Sequence, residues 1–406
     1  MIDFRLALEQ LLQLADRTRQ CLRIESIPTT SAIHALKGRI LAQPARATID
    51  YPQQPKSRMD GYALADANIP ASRLRIVDAR ERGTDANRLA SGYALPIATG
   101  ETVPEGGKRV IPKEAVTTGP DWIEIMDLDH TETWIRPAGE DFRSGDELLP
   151  AGIRLDARKL ALVGAAQIPV LKLYARAKVA VIRLGDELIP VSSQPPANSQ
   201  YDLNALFLQD ELQRLPLDYM DYGILEDDLD RICDTLQQAA HQCDLIITTG
   251  GTSAGNKDWI VPAIRKLGQL LLHRISIRPG MPFAAGVIED TPVLALPGNP
   301  LSVSVGLQML IKPFVYRMCG RQHYKPQSFP AYCTQSVNNP TKRLHFMQAH
   351  FEAVDVDGQK QLQVTPLMPQ HSALLTPLAQ ANCLLEVPAQ THYAPFERVA
   401  IWLSSA

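Results

Sequence analysis

The stretch IITTGGTSAGNKDWI, residues 246–260, limits the fold more than any other part of the chain. The β-branched run Ile246 to Thr249 empties into Gly250-Gly251, followed by Thr252, Ser253, Gly255 and Asp258. It reads as a buried strand ending in a loop stripped of bulky side chains, with hydroxyls and one carboxylate at its edge. Glycines let backbone N–H groups approach an anion closely, and a helix N-terminus after the loop adds its positive dipole end. The segment LALPGNPLSVSV, residues 294–305, repeats the design, with a Gly-Asn turn and with Ser302 and Ser304 opening the next apolar run. Taken singly, each loop is explained by a tight turn joining a strand to a helix. Together, in one α/β segment, they point to a site for a phosphorylated ligand.

At 406 residues the chain is too long for one core, and about two to four domains are expected. The net charge of -3 offers no electrostatic case for nucleic acid or an anionic membrane. The N-terminus, MIDFRLALEQLLQLADRTRQ, is charged from Asp3 onward and does not read as a signal peptide. No apolar run approaches the ~18 residues of a membrane span. Cysteines at 21, 233, 243, 319, 333 and 383 form no C-x-x-C pair. They read as core thiols of a reducing compartment, not as a disulfide framework or zinc site. The expectation is a cytoplasmic protein with no nucleic-acid or membrane partner.

Residues 1–40 read as helix, with Phe4, Leu6, Leu11, Leu12 and Leu14 as its apolar stripe. From about Asp50 to Glu140 short strands alternate with Gly and Pro turns, as in a small all-β unit. From AKVAVIRLGDEL (177–188) onward strands alternate with helices, at 204–215, 229–241 and 301–318, which implies a mostly parallel sheet covered on both faces. After Pro326 the period returns to two, predicting a terminal β domain. Ligands of doubly wound sheets sit beyond the C-terminal ends of the strands. The loops at Gly185-Asp186-Glu187, Gly250 to Asp258 and Pro297 to Ser302 all follow strands, so they are expected to converge on one pocket.

Carboxylates near these loops suit a hard cation. Mg²⁺ is held by one or two carboxylates plus phosphate oxygens and waters. Asp186, Glu187, Asp227, Asp228 and Asp258 are the candidates, although Asp227 and Asp228 equally suit a helix N-cap and first turn. In HRISIRPGMPFAAG (273–286), Arg274 and Arg278 stand four apart, and on a strand both guanidiniums would share a face able to hold a tetrahedral oxyanion. An exposed edge strand explains them as well. SRMDGYAL (57–64) is a candidate site turn or a plain Asp-Gly hairpin. RPAGEDFRSGDELL (136–149) is a candidate site or an exposed charged loop.

These motifs, in one order over most of the chain, make it resemble the molybdopterin molybdenumtransferase (MoeA) family, which includes the E domain of gephyrin. The matching stretches are SRMDGYAL, IATGETVPEGGKRVIPKE, RPAGEDFRSGDELLPAGIRL, VIRLGDEL, TTGGTSAGNKDW, RPGMPFAAG and ALPGNPLSVSV. The resemblance implies a multidomain α/β and β subunit. Its parts would be a helical and extended linker domain (1–45 plus 140–175), an inserted β-domain (46–139), a central three-layer molybdopterin-binding α/β domain with a parallel-rich sheet (176–325), and a C-terminal β-barrel (326–406). It implies a homodimer with each active site between one subunit's α/β domain and the other's β-domain. The implied reaction is Mg²⁺-dependent insertion of molybdate into adenylylated molybdopterin with release of AMP. Contact with the molybdopterin adenylyltransferase would deliver that substrate.

Carried over residue by residue, the resemblance assigns catalysis to Asp60, Asp141, Glu187 and Asp258. It assigns substrate binding to Thr99, Gly250, Gly251, Ser253, Gly255, Pro297, Gly298, Asn299 and Ser302. Molybdate would meet Arg278, Arg343 and Ser372, and Mg²⁺ would meet Asp186, Asp228 and Asp258. The chain departs from the family pattern at several places. Met281 stands where a second lysine is usual, Asn256 where Asp is common, and Gln348 where Arg is frequent. Arg183-Leu184 replaces the usual Ser-Thr before Gly185. Arg183 is therefore the expected source of the cation lost at Met281. The alternative reading is a weakened paralogue that binds molybdopterin as a scaffold for partner proteins. A nucleotide or pyrophosphate hydrolase on the same central fold ranks third, because it leaves the β-domain motifs without a role.

Overall fold

The computed structural model describes the chain except residues 67–72, 78–87, 127–130, 192–193, 195, 253–258, 322–323, 325–326 and 404–406. Its centre is a six-stranded sheet in the order Leu217–Leu225, Ala177–Leu184, Leu245–Thr249, Thr291–Leu296, Ala284–Ile288, Gly268–His273. The first four strands run parallel, and the last two close the edge as an antiparallel pair. Successive side chains on a strand point to opposite faces. Val179 and Val181 accordingly enter one core with Ile247, Leu294 and helices Leu203–Gln213 and Pro300–Gly306. Ala180 and Ile182 enter the other core, against Leu229–Gln242 and Ile260–Leu267. Burial on both faces is why these strands read as unbroken apolar runs instead of alternating ones.

The helix expected over 301–318 is present with a wider turn at Leu307–Ile311. Pro313 explains it: without an N–H it cannot bond back to Met309, and the backbone widens there. The N-terminal helix is shorter than expected. Phe4–Cys21 is helical, but Ile24–Pro28 is a strand paired antiparallel with Val170–Tyr174, and only Ile33–Leu36 is helical again. Phe4, Ala7, Leu11, Leu14 and Ala15 form the buried stripe, while Leu6 is exposed. That helix packs on Lys312–Met318, with Arg317 gripping Asp16 at 2.7 and 2.8 Å, and Phe4 meets Phe346 edge-on at 5.3 Å.

A second sheet runs Arg109–Pro112, Gly61–Leu64, Tyr93–Ile97, Leu74–Ile76, Trp122–Ile125, Val116–Thr118. Asp60-Gly61 is therefore not a hairpin tip: Gly61 opens a central strand, paired with both Ile97 and Pro112. A Cβ at Gly61 would lie 1.9 Å from the Ile111 carbonyl oxygen, so close strand approach, and not turn geometry, demands glycine. Towards the C-terminus, Leu344–Val356, Gln359–Pro366, Ser328–Cys333, Arg398–Leu403 and Cys383–Val387 pair in a ring that closes on Leu344–Val356, a five-stranded barrel. The short strand Ile277–Arg278 joins this barrel in parallel at Leu344 and His345, stitching it to the α/β unit. Among the described residues no helix is long and apolar enough to cross a membrane.

Candidate active site

The parallel strands Ala177–Leu184, Leu245–Thr249 and Thr291–Leu296 end at one cleft of about 400 Å³. Gly185, Glu187, Gly250, Gly251, Thr252, Pro297, Gly298 and Asn299 line it, so the three loops do converge. Gly250 and Gly251 have φ of +82° and +64°. A Cβ on Gly250 would stand 2.2 Å from the Leu184 carbonyl oxygen. That backbone is held by Gly250 N–H donating to Leu296 O at 3.1 Å and Ile260 N–H donating to Gly251 O at 3.3 Å. Ser253, Gly255 and Asp258, singled out in the sequence with Asn256, lie outside the described residues. Ser302 is buried in the first turn of Pro300–Gly306 and is not on the cleft wall.

The carboxylates divide by role. Glu187 and Asp227 line the cleft, and Asp186 Oδ1 accepts from the Asp227 N–H at 2.8 Å at its edge. Asp228 caps helix Leu229–Gln242, accepting from Arg231 N–H at 2.9 Å, the role that the sequence left open for it. Among the described residues no three His, Cys, Asp or Glu side chains form a metal-holding group, and no Lys or Arg lines the cleft. The oxygens of Asp186, Glu187 and Asp227 are donors of the kind a hard cation such as Mg²⁺ takes alongside phosphate oxygens.

Cations gather next door, where the barrel meets the α/β unit. Arg278 pairs in register with His345, and Arg343 Nη1 approaches the Met281 sulfur at 3.5 Å. Arg278 and Arg343 have no carboxylate partner among the described residues. Burial, followed by the two guanidiniums, pushes the His345 pKa down to about 4, so its ring is neutral near pH 7. Ser372 meets the turn at Asn299 and the start of the helix after it. Its Oγ accepts from Asn299 Nδ2 at 3.3 Å, and its carbonyl accepts from Leu301 N–H at 3.3 Å. Pro282 and Ala373 line the cleft itself, so the cationic seam and the cleft adjoin.

Two expectations about arginines fail. Arg183 is not a spare cation: its guanidinium is buried and binds Asp202 and Asp221. Burial alone would lower its pKa, and the hydrogen bonds to Asp221 and Asp202 more than offset this. Arg274 and Arg278 do not share a strand face, because strand Gly268–His273 ends before Arg274, which takes φ +61°. The sequence reading also missed Asn204 and His345. Asn204 lines the cleft and donates to Gly298 O at 2.6 Å. Its only sequence signal is a polar residue just past a helix cap.

Asp60, Thr99 and Asp141 of the β unit do not line the cleft of their own chain. Asp60 Oδ1 accepts from both the N–H and the hydroxyl of Thr99 at 2.8 Å, and Lys113 Nζ lies 3.6 Å from Oδ2. The Thr99 hydrogen bonds, helped by Lys113, hold the Asp60 pKa below the usual carboxylate value. Asp141 is half-exposed, 3.7 Å from Arg136 Nη2. Thr99 and Arg136 line a separate hollow of about 600 Å³ with Tyr51, Lys56 and Arg58.

A doubly wound sheet with a glycine-loop cleft at its strand ends, flanked by a closed barrel and a second β sheet, defines a class of multidomain ligand-binding α/β protein. Family models match along the chain: the MoeA N-terminal region (domain I and II) over residues 2–166, the probable molybdopterin binding domain over 180–317, and the MoeA C-terminal region (domain IV) over 330–403. The chain is 31% identical to the molybdopterin molybdenumtransferase of Haemophilus influenzae across 86% of each chain. It is 31% identical to that of Synechococcus elongatus, across 84% of this chain and 85% of the other. A molybdopterin biosynthesis moeA protein from Pyrococcus horikoshii superposes with a TM-score of 0.80 over 100% of both chains at 24% identity, which shows the shared fold. The chain belongs to the molybdopterin molybdenumtransferase (MoeA) family, transferases of molybdenum cofactor biosynthesis.

Proposed function

We propose that this chain inserts molybdenum from molybdate into adenylylated molybdopterin, with Mg²⁺, releasing AMP. The observation that carries the reading is the segregation of charge: an acid-lined glycine cleft beside an arginine pair that lacks carboxylate partners among the described residues. In this reading Gly250, Gly251, Thr252 and the turn Pro297–Asn299 receive the pterin phosphate and nucleotide through backbone groups, with Ser253, Gly255 and Ser302 assigned to the same task by resemblance. Asp186 would hold Mg²⁺, with Asp258 and Asp228 as further candidates, and Glu187 would orient the reacting phosphate. Bound there, the ion shields the phosphoanhydride and draws electron density from its phosphorus. Arg278 and Arg343 hold the tetrahedral oxyanion through charge-assisted hydrogen bonds, with Ser372 at its edge. Molybdate is the substrate that this pair would bind.

Asp60, Thr99 and Asp141 would act on the cleft of a second copy. This is supported by their absence from the lining of their own chain's cleft and by the hydrogen-bonded Asp60–Thr99 pair. The proposal therefore includes a homodimer, a subunit of four domains, a cytoplasmic setting and delivery by the molybdopterin adenylyltransferase. The test is incubation of the purified protein with adenylylated molybdopterin, Mg²⁺ and graded molybdate, following AMP and cofactor formation. Molybdate-stimulated AMP release is the expected result. Tight pterin binding without AMP release would overturn it in favour of the scaffold, the reading that Met281 in place of a cation favours.

A further inference from the structure

Arg183 lies at the end of the strand Ala177–Leu184, one step before the cleft, and is only 5% exposed. Its Nε donates to Asp202 Oδ2 at 2.8 Å, its Nη1 and Nη2 hold the Asp221 carboxylate, and Nη1 also reaches Val181 O at 3.5 Å. Asp202 is 3% exposed, and its other oxygen caps helix Leu203–Gln213 by accepting from Ala205 N–H at 3.1 Å. Asp221 belongs to the edge strand Leu217–Leu225. A single guanidinium thus joins the floor strand, the edge strand and the start of a helix. Two residues beyond Asp202, Asn204 reaches across and donates to the Gly298 carbonyl at 2.6 Å. Asp202, Asn204 and Gly298 all line the cleft, and Arg183 does not.

We propose that Arg183 is a positioning residue for the ligand of this cleft. Through Asp202 it sets the wall Gln200–Asn204, and through Asn204 it sets the turn Pro297–Asn299, without touching the ligand. The proposal rests on the cleft being the pterin-nucleotide site. It separates Arg183 from the molybdate site: all three of its nitrogens hold Asp202 or Asp221 and it does not line the cleft, so removing it should leave oxyanion binding intact.

The obvious variant, Arg183→Met, would strand the buried Asp202 carboxylate, which is strongly destabilising. The paired variant Arg183→Met/Asp202→Asn removes both buried charges and keeps a side chain able to cap the helix, so it should fold. Asp221→Asn loosens the guanidinium from its half-exposed partner and is the milder form of the test. Calorimetry measures adenylylated molybdopterin binding to wild type, these variants and Asn204→Ala, and an AMP-release assay gives the KM for molybdate. The paired variant and Asn204→Ala are each expected to bind the nucleotide about five- to thirty-fold more weakly. The molybdate KM should stay at the wild-type value. Adding Asn204→Ala to the paired variant should weaken binding little further, since both act along one chain of contacts. Unchanged affinity in both the paired variant and Asp221→Asn would overturn the positioning role, as would a raised molybdate KM. A wild-type protein that fails to bind adenylylated molybdopterin would overturn the reading of the cleft itself, a separate and recognisable failure.

Discussion

The glycine cleft and the adjoining arginine seam solve opposite electrostatic problems. The cleft takes its shape from backbone at Gly250 and Gly251 and is lined by carboxylates, with no Lys or Arg among the described residues. The seam takes its character from two guanidiniums and a neutral imidazole, and its register comes from a strand pairing between distant parts of the chain. On the proposed function, one region receives a polyanion with the help of a metal ion, and the other receives a small oxyanion unaided. On that proposal the cleft's carboxylates serve Mg²⁺ and the arginines of the seam serve the second ligand.

Variants that disturb one region and spare the other test this division. The largest effect is expected from Gly250→Ala. A side chain there adopts a left-handed backbone, costing about 1–3 kcal/mol, and its Cβ would press on the Leu184 carbonyl at 2.2 Å. Thermal melting should show a clear loss of stability, and calorimetry should show loss of nucleotide binding. Next is Arg343→Met. Loss of one charge-assisted hydrogen bond to the bound oxyanion, about 1.5–3 kcal/mol, raises the molybdate KM by roughly ten- to a hundredfold. AMP release at subsaturating molybdate should fall by that order while the affinity for adenylylated molybdopterin stays put; a parallel fall in both would merge the two regions.

The seam also predicts a pH effect. His345 titrates near its ordinary value of 6.5 in the unfolded chain and at about 4 in the folded one. Below pH 6.5 the unfolded state takes up a proton that the folded state refuses. Stability is therefore complete above 6.5 and declines towards pH 4, by roughly 3 kcal/mol at most. Denaturant melts across that window should show the decline, and His345→Gln should flatten it. The smallest effect is reserved for Met281→Lys. Restoring a cation beside Arg343 should lower the molybdate concentration for half-maximal turnover several-fold and leave nucleotide affinity unchanged.

The cleft was far more legible in the sequence than the seam. Glycines after an apolar run announce a strand-end loop because few other residues tolerate that backbone, so the convergence of three loops followed from the α/β alternation. Arg183 misled for a physical reason: a lone charge in an apolar strand beside a site looks available for ligand, and its two carboxylates lie 19 and 38 positions away. Arg274 and Arg278 would share a face only if strand periodicity ran through both, and the left-handed turn at Arg274, which no local pattern marks, breaks it. His345 was one letter in the alternating run LHFMQAHF, and only the parallel pairing with Arg278 gives it a place. The N-terminal helix was overextended because Ile24–Pro28 finds its partner at Val170–Tyr174, a pairing that no local pattern encodes.

The most direct test of the central claim is a pair of titrations on the wild-type protein, each run with Mg²⁺ and again after its removal by a chelator. Adenylylated molybdopterin should lose at least about tenfold in affinity without the ion, roughly 1.4 kcal/mol, while molybdate binding stays unchanged. Equal nucleotide affinity in both conditions, or molybdate binding that depends on Mg²⁺, would contradict the separation of the two regions.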